Sequence, residues 1–257
     1  MIKKNTYIGL KTITRKQIKR INRIWTQTLL PSAISLSLYF IIFGNLIGPR
    51  VGEMDGFSYM AFIVPGLIMM AVITNSYSNV SSAFFGEKFG KSIEELLVSP
   101  VPTWAIISGF VLGGVYRGLF VGLIVTIVSM FFTKLTFFNI AIVIITILLT
   151  SILFSLAGLL NGIFAKKFDD VGIVPTFVLT PLTYLGGVFY SISLLPDFWV
   201  YLSKLNPILY MVNLFRYGFL GISDINIYFA FTMILVFIIV FYTLCHRFLE
   251  KGYGMRS

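Results

Sequence analysis

The stretch Phe84-Phe-Gly-Glu-Lys-Phe-Gly-Lys-Ser-Ile-Glu-Glu-Leu-Leu-Val-Ser-Pro-Val-Pro102 is a polar island in an apolar chain. No charged residue lies between Gly56 and Gly86, and none lies between Leu96 and Tyr116. The charged side chains of the island crowd together as Glu87, Lys88, Lys91, Glu94 and Glu95. Because apolar runs flank the island on both sides, the sequence predicts a water-exposed loop between two membrane spans.

The island contains signals for a short helix. Ser92 is followed three residues later by Glu95, the pattern of a capping box, which predicts that a helix begins at Ser92. Ser99-Pro100 ends it, because the proline ring disfavours helical geometry in the residue before it. We therefore predict a helix of about two turns and interpret it as the element that receives force from a partner protein. An ordinary capped loop helix is the alternative, and capping boxes are common.

The composition predicts an all-α membrane protein. Of 257 residues, 57% are hydrophobic and only 12% are charged, whereas soluble domains carry about 25% charged residues. A spanning helix needs about 20 apolar residues, and runs of this kind predict six spans within one domain over 1–257. The predicted spans are 28–47, 57–84, 103–132, 137–164, 171–193 and 225–246.

Lysine and arginine predict the orientation. With both termini in the cytoplasm, fifteen of the twenty basic residues fall inside, which satisfies the positive-inside rule. The inside set is Lys3, Lys4, Lys11, Arg15, Lys16, Lys19, Arg20, Arg23, Lys88, Lys91, Lys166, Lys167, Arg247, Lys251 and Arg256. The basic pI of about 9.7 is therefore interpreted as a cytoplasmic membrane face, contacting membrane lipids, and not as nucleic-acid binding.

The N-terminal segment 8–25 predicts an interfacial helix. Lys11, Arg15 and Lys19 are spaced four apart on one face, while Leu10 and Ile18 belong to an apolar face. Such a helix lies along the membrane surface with its basic side near anionic headgroups. It would form a collar that a cytoplasmic partner also touches, and a plain membrane anchor is the alternative.

The third predicted span combines small residues with one arginine. Gly114, Gly118 and Gly122 are four apart, a spacing that lets helices approach closely in lipid. Arg117 costs about 2.5–3.5 kcal/mol at mid-span on insertion scales, so it should face protein or a wet cavity. No acidic residue lies in any predicted span. The candidate polar partners are Asn75, Asn79 and Asn161, and a pathway role and a structural role for Arg117 both remain open.

The segment 197–221 is interrupted by charges and is too short between them to span. Asn206-Pro207 would end one helix and start the next, so we predict two short helices that dip into the outer leaflet. The aromatic residues Phe198, Trp199, Tyr201, Tyr210, Phe215 and Tyr217 suggest an interfacial belt.

Several chemistries lack their residues. Gly90-Lys91-Ser92 resembles the end of a phosphate-binding loop, but that pattern requires glycine at position 85, which is Phe85. His246 is the only histidine, and no carboxylate lies in a predicted span. We therefore predict that the chain is not an enzyme, binds no ATP, metal or other cofactor itself, and takes its energy from outside the bilayer.

A family resemblance rests on two stretches. Leu179–Arg216, with Leu185-Gly-Gly-Val188, Leu195-Pro196 and Pro207-Ile-Leu-Tyr210, resembles the type-2 permeases of ATP-binding cassette (ABC) exporters. Glu95-Leu-Leu-Val-Ser-Pro100 resembles the segment that follows the second span in that family. The layout is similar over nearly the whole chain, and most similar to small inner-membrane permeases of Gram-negative bacteria.

The resemblance implies a half-transporter, in which two copies pair around a central path and two separate ATPase subunits, carrying ATP and Mg, dock below. The exported substrate stays unidentified. The implied coupling loop is 87–100, with Glu87, Lys88, Lys91, Ser92, Glu94, Glu95, Leu96 and Pro100 as its residues. The implied secondary ATPase contact is Lys11, Arg15 and Lys19. The path or its helix packing would involve Asn75, Asn79, Gly114, Arg117, Gly118, Gly122 and Asn161, and the outer gate Pro196, Pro207, Tyr210 and Arg216.

Two other function classes remain open at the level of sequence. The chain could be a membrane scaffold that resembles permeases but moves nothing. It could also be a sodium-coupled secondary transporter, with sodium bound by unwound carbonyls around Pro65-Gly66.

Overall fold

The structure, a computed structural model, describes residues 2–254, with side chains from residue 6 onward. Lys3, Lys4 and Arg256 of the predicted cytoplasmic set therefore lie outside the described side chains. The protein is nearly all-α, and its two short strands form one antiparallel hairpin in which Glu53 pairs with Ser58. The elements are α1 (Ile2–Arg23), α2 (Trp25–Tyr39), a π-helix (Phe40–Ile47), α3 (Gly48–Val51), β1 (Glu53–Met54), β2 (Phe57–Ser58), α4 (Tyr59–Phe89), α5 (Ser92–Val98), α6 (Thr103–Ser129), α7 (Ile140–Phe164), α8 (Phe168–Val174), a second π-helix (Pro175–Leu179), α9 (Thr180–Leu185), a 3-10 turn (Ile192–Leu194), α10 (Asp197–Lys204), α11 (Pro207–Leu220) and α12 (Ile227–Glu250).

Five helical segments within residues 2–254 are long and apolar enough to cross a membrane. They are Trp25–Val51, Tyr59–Phe89, Thr103–Ser129, Ile140–Phe164 and Ile227–Glu250. The predicted span 171–193 is shorter and irregular. Its helical part runs through α8, the second π-helix and α9 and ends at Leu185. It is irregular because Pro175 and Pro181 lack the N–H group that a regular helix needs.

Prolines elsewhere disturb the helices less than the sequence suggests. An early break at Pro31 is the natural expectation, yet α2 passes through it and the helix widens only at Phe40–Ile47. Likewise α4 runs unbroken through Pro65. The unwound carbonyls that a sodium site at Pro65-Gly66 requires are therefore absent, and that version of the secondary-transporter hypothesis loses its structural basis.

Helix α4 is the central element, packed against α6, α7 and α11. Helix α1 packs on α6 and reaches α4 through polar side chains. Small residues allow the close approach. A methyl group at Gly118 would lie 2.3 Å from the hydroxyl oxygens of Ser76 on α4 and Ser151 on α7, and one at Gly158 would lie 2.3 Å from the carbonyl oxygen of Tyr77. The glycine row of α6 therefore packs directly against its neighbours, as small residues do in membrane helices.

Two short helices, α10 and α11, occupy the segment 197–221. Pro196 precedes α10, and Pro207 is the first residue of α11 after Asn206, whose side chain accepts a hydrogen bond from the N–H of Ile208 at 3.0 Å. The aromatic residues predicted to form a belt do not all lie at the surface. Phe198, Trp199 and Tyr201 are exposed, but Tyr210 and Phe215 are buried in the core because α11 packs against α4 and α7.

Candidate functional site

The short helix α5 lies between the end of α4 and the start of α6. The predicted capping box is wrong. Lys91, not Ser92, precedes the helix and adopts a left-handed φ of 58°, and no side chain caps this end. Because the chain turns sharply at Gly90 and Lys91, Ser92 falls inside the first turn, where its hydroxyl donates to the Glu87 carbonyl at 3.2 Å.

Helix α5 is amphipathic. Ile93 is buried in a hydrophobic cluster that includes Phe84 and Ile106, and Leu96 and Leu97 pack against the same cluster. On the other side Glu94, Glu95 and Val98 are exposed, and Val98 is 85% exposed. Lys91 and Pro100 are exposed at the two ends. The helix is thus anchored by one face and presents a surface with two carboxylates and an apolar side chain.

Glu87 does not belong to that free surface. Since α4 continues to Phe89, Glu87 lies on its last turn, where its carboxylate pairs with the Lys16 ammonium at 3.0 Å. The Gln17 amide donates to the same Oε1 atom at 3.2 Å. The Glu87 side chain is only 13% exposed. Glu87 therefore connects the α4–α5 turn to α1.

Lys88 ties the same turn to a different helix. Its ammonium donates to the carbonyl oxygens of Ile163 at 2.8 Å and Ala165 at 2.6 Å. These carbonyls lie at the C-terminal end of α7, where unpaired acceptors and the helix dipole favour a cation. Two neighbouring residues thus connect the α4–α5 turn to α1 on one side and to α7 on the other.

Two arginines fasten α1 and α6 to α4. The Arg20 guanidinium donates to the carbonyl of Asn79 at 2.9 Å and to its side-chain oxygen at 2.7 Å. Burial lowers the pKa of Arg20, and Glu87 opposes that shift. Arg117 donates to Asn75 Oδ1 at 3.0 Å, and the Asn75 amide donates to Ser32 Oγ at 3.1 Å.

Asn75 is thus the polar partner of Arg117, whereas Asn79 serves Arg20. Asn161 donates to Ser81 Oγ at 3.0 Å and to the Val171 carbonyl at 3.2 Å. All three asparagines therefore link helices, and Gln17, Lys16 and Ser32 join them as polar linkers that the sequence reasoning missed. The burial of Gln17 was predictable from the sequence, because it lies four residues from the apolar Ile13 and Ile21 on the buried face of α1.

An exposed aromatic patch lies beside α5. Phe168, at the start of α8, stacks edge-on against Phe85 and Phe89 with ring centroids 4.9 Å apart in both cases. Phe89 and Phe168 are 66% and 60% exposed. The sequence does not predict this pairing, because Phe89 ends α4 and Phe168 begins α8, far apart along the chain.

The predicted outer-gate residues lie around α11. Arg216 is buried, with its side chain only 1% exposed. Its Nη2 donates to the Gly187 carbonyl at 2.6 Å, and its guanidinium lies 3.8 Å from the Phe62 ring centroid. Asp224 approaches it at 3.9 Å. Tyr210 is also buried and donates to the Lys204 carbonyl, which joins α11 to the end of α10.

These features, a charged short helix between long apolar helices and the short helix pair α10 and α11, occur in a chain that matches a known family. The chain belongs to the ABC-2 type transporter family, whose model matches residues 9–220. The chain is accordingly a membrane permease of an ABC transporter, a multi-pass protein of the inner membrane.

Similar curated proteins include transport permeases and nodulation proteins. The inner membrane transport permease YadH of Escherichia coli (strain K12) is 61% identical over 251 residues, 98% of both chains. Nodulation protein J of Sinorhizobium fredii is 25% identical over 181 residues, 70% of this chain and 68% of the relative. Nodulation protein J of Rhizobium leguminosarum bv. viciae is 23% identical over 204 residues, 79% of both chains.

Proposed function

We propose that this chain forms the translocation path of an ABC exporter as a dimer and is driven by a separate ATPase subunit, present in two copies, that carries ATP and Mg. The observation that carries this proposal is the double attachment of the α4–α5 turn. Glu87 connects it to α1, and Lys88 connects it to α7. A displacement of α5 would therefore be transmitted to α1, α4 and α7 together.

The exposed side of α5 is the proposed docking surface. Glu94, Glu95 and Val98 project away from the membrane helices, and the neighbouring rings of Phe89 and Phe168 extend the surface with apolar area. A partner with basic and apolar groups would be complementary to it. Glu87 and Lys88 are proposed as positioning residues behind this surface, because their charged groups are already engaged inside the chain.

We also propose six crossings with both termini in the cytoplasm, and the contacts between helix ends support it. Lys16 of α1 and Ile163 of α7 both meet the α4–α5 turn. The end of α12 joins the same side, since the rings of Phe164 and Phe248 lie 4.9 Å apart. The start of α12 instead adjoins α11, through Tyr210 and Phe229 at 5.6 Å.

The segment from α8 to α9 must therefore carry the chain from the end of α7 toward the start of α12. The helical segment from Phe168 to Leu185, whose first turn with Asp169 and Asp170 would lie at the cytoplasmic surface, would extend about 27 Å as a continuous helix at 1.5 Å per residue. That length is close to the hydrocarbon thickness of about 30 Å. The irregular turns at Pro175–Leu179 would make this crossing the least rigid of the six.

The test reverses the charge of the docking surface. The E94K/E95K variant, reconstituted in vesicles with its ATPase, should lose transport-coupled ATP hydrolysis. It should still insert normally, because both carboxylates are exposed and do not hold other parts of the fold in place. The matched control, R247E/K251E, reverses two exposed charges at the end of α12, outside the proposed docking surface. Unchanged coupling in E94K/E95K would refute the proposed docking surface.

A further inference from the structure

Helix α1 has three faces with different chemistry. One face, formed by Gly9, Ile13, Gln17 and Ile21, is seated on the rest of the protein, where Ile13 and Gln17 cover Gly109 and Gly113 of α6. Because α1 is held in this fixed orientation, its two other faces have defined neighbours.

The second face opens on an apolar cleft of about 530 Å³. Tyr7, Leu10 and Ile18 of α1 line it together with Leu112 of α6. Tyr7 is 65% exposed and Leu112 44% exposed. Exposed apolar side chains at the edge of a membrane protein are typical of contact with acyl chains.

The third face is basic. A groove of about 790 Å³ is bordered by six cationic side chains and a single carboxylate, Glu87, which is already neutralised by Lys16. The cations are Lys11, Arg15, Lys16, Lys19, Arg20 and Arg23. Such a groove strongly favours an anionic ligand.

Three cations border both spaces. Lys11, Arg15 and Lys19 line the apolar cleft as well as the basic groove, and all three are exposed. They separate a site for a hydrocarbon chain from a site for negative charge. A ligand that satisfies both spaces must carry an apolar chain joined directly to an anionic group.

We infer that this row of α1 is a binding site for one anionic phospholipid of the cytoplasmic leaflet. The phosphate lies against Lys11, Arg15 and Lys19, and an acyl chain runs along the cleft over Leu112. The lipid thereby fixes α1 at the membrane surface. Since α1 holds Glu87 through Lys16 and Gln17, the bound lipid also supports the root of the coupling loop. This site is distinct from a protein contact, because the apolar cleft beside the cations fits a hydrocarbon chain.

The test measures lipid binding to the purified full-length chain by native mass spectrometry, without any ATPase. Dioleoyl phosphatidylglycerol should bind at least tenfold more tightly than dioleoyl phosphatidylcholine. The K11Q/R15Q/K19Q variant should lose roughly tenfold to a hundredfold in affinity for the anionic lipid. The control K91Q/K166Q/K167Q removes the same charge from exposed positions elsewhere and should keep it.

The apolar half of the site is tested separately. L112N should weaken phosphatidylglycerol binding, whereas binding of glycerol 3-phosphate should be weak and insensitive to it. Equal affinity for glycerol 3-phosphate and the lipid would mean a site for free anions and would overturn the inference. So would equal losses in the two triple variants, which indicate general charge attraction.

A further outcome separates this site from the predicted secondary ATPase contact. If K11Q/R15Q/K19Q lost affinity for the ATPase but kept its lipid preference, the row would be a protein contact and the inference would fail. Because the lipid measurement needs no transport, its result is independent of the proposed function.

Discussion

Exchanging the charges of Lys16 and Glu87 tests whether the coupling loop is held by α1. The two groups lie 3.0 Å apart, and Gln17, which is buried, donates to the same carboxylate oxygen at 3.2 Å. The E87K variant removes both acceptor interactions and places a new ammonium beside Lys16 and Arg20. We expect it to destabilise the fold and to disconnect α5 from α1.

The magnitude follows from the exposure of the groups. Lys16 is 58% exposed, so its ion pair contributes about 0.5–1 kcal/mol. The buried Gln17 amide loses its acceptor, which costs about 1–3 kcal/mol. E87K should therefore destabilise the protein by about 1.5–4 kcal/mol, which lowers Tm by roughly 3–16 °C at about 2–4 °C per kcal/mol.

The double variant K16E/E87K restores the ion pair with reversed sign but not the acceptor for Gln17. About 1 kcal/mol should return, equal to roughly 2–4 °C in Tm. Coupled ATP hydrolysis should recover in parallel, because the connection between α1 and the loop is re-formed. The measurements are thermal unfolding of the purified permease and ATP turnover in vesicles with its ATPase.

A direct docking role for Glu87 gives the opposite result. If Glu87 contacted the ATPase, K16E alone would leave coupling unchanged and K16E/E87K would be as inactive as E87K. That pattern would refute the positioning role. An unchanged Tm in K16E, E87K and K16E/E87K would equally contradict the packing argument.

Two further predictions concern packing and pH. G118V should lower Tm by several degrees, because overpacking a tight site costs about 1–3 kcal/mol and the added carbon would meet Ser76 and Ser151 at 2.3 Å. The control G172V should leave Tm unchanged, because a methyl group there meets nothing within 4 Å. Equal Tm values for the two variants would contradict the packing argument. The backbone N–H groups of residues 166 and 167 lower the pKa of the Asp170 carboxyl. The stabilisation of the fold by this carboxylate is therefore complete above its ordinary pKa of 3.8 and is lost as pH falls through the lowered pKa. The Tm difference between wild type and D170N should shrink from pH 7 to pH 3, and a constant difference would refute this prediction.

Much of the secondary structure is readable from the sequence. The uncharged runs correspond to the long helices α4, α6, α7 and α12, and Asn206-Pro207 separates α10 from α11. Proline was a poor guide to breaks. Pro31 and Pro65 lie inside continuous helices, while Pro175 and Pro181 accompany an irregular segment. The difference is one of packing, because neighbours in the fold decide whether a helix with a missing hydrogen bond continues.

The sequence by itself determined an all-α membrane protein with a charged loop helix and a resemblance to one permease family, because hydrophobic runs, charge placement and local turn residues are properties of short segments. Only the tertiary structure decided which charges are free. Glu87 and Lys88 look like their neighbours Glu94 and Glu95 in the sequence, yet they bind groups 71 and 75 residues away, at Lys16 and Ile163. Such pairings depend on how distant helices pack, and local sequence patterns carry no record of that packing.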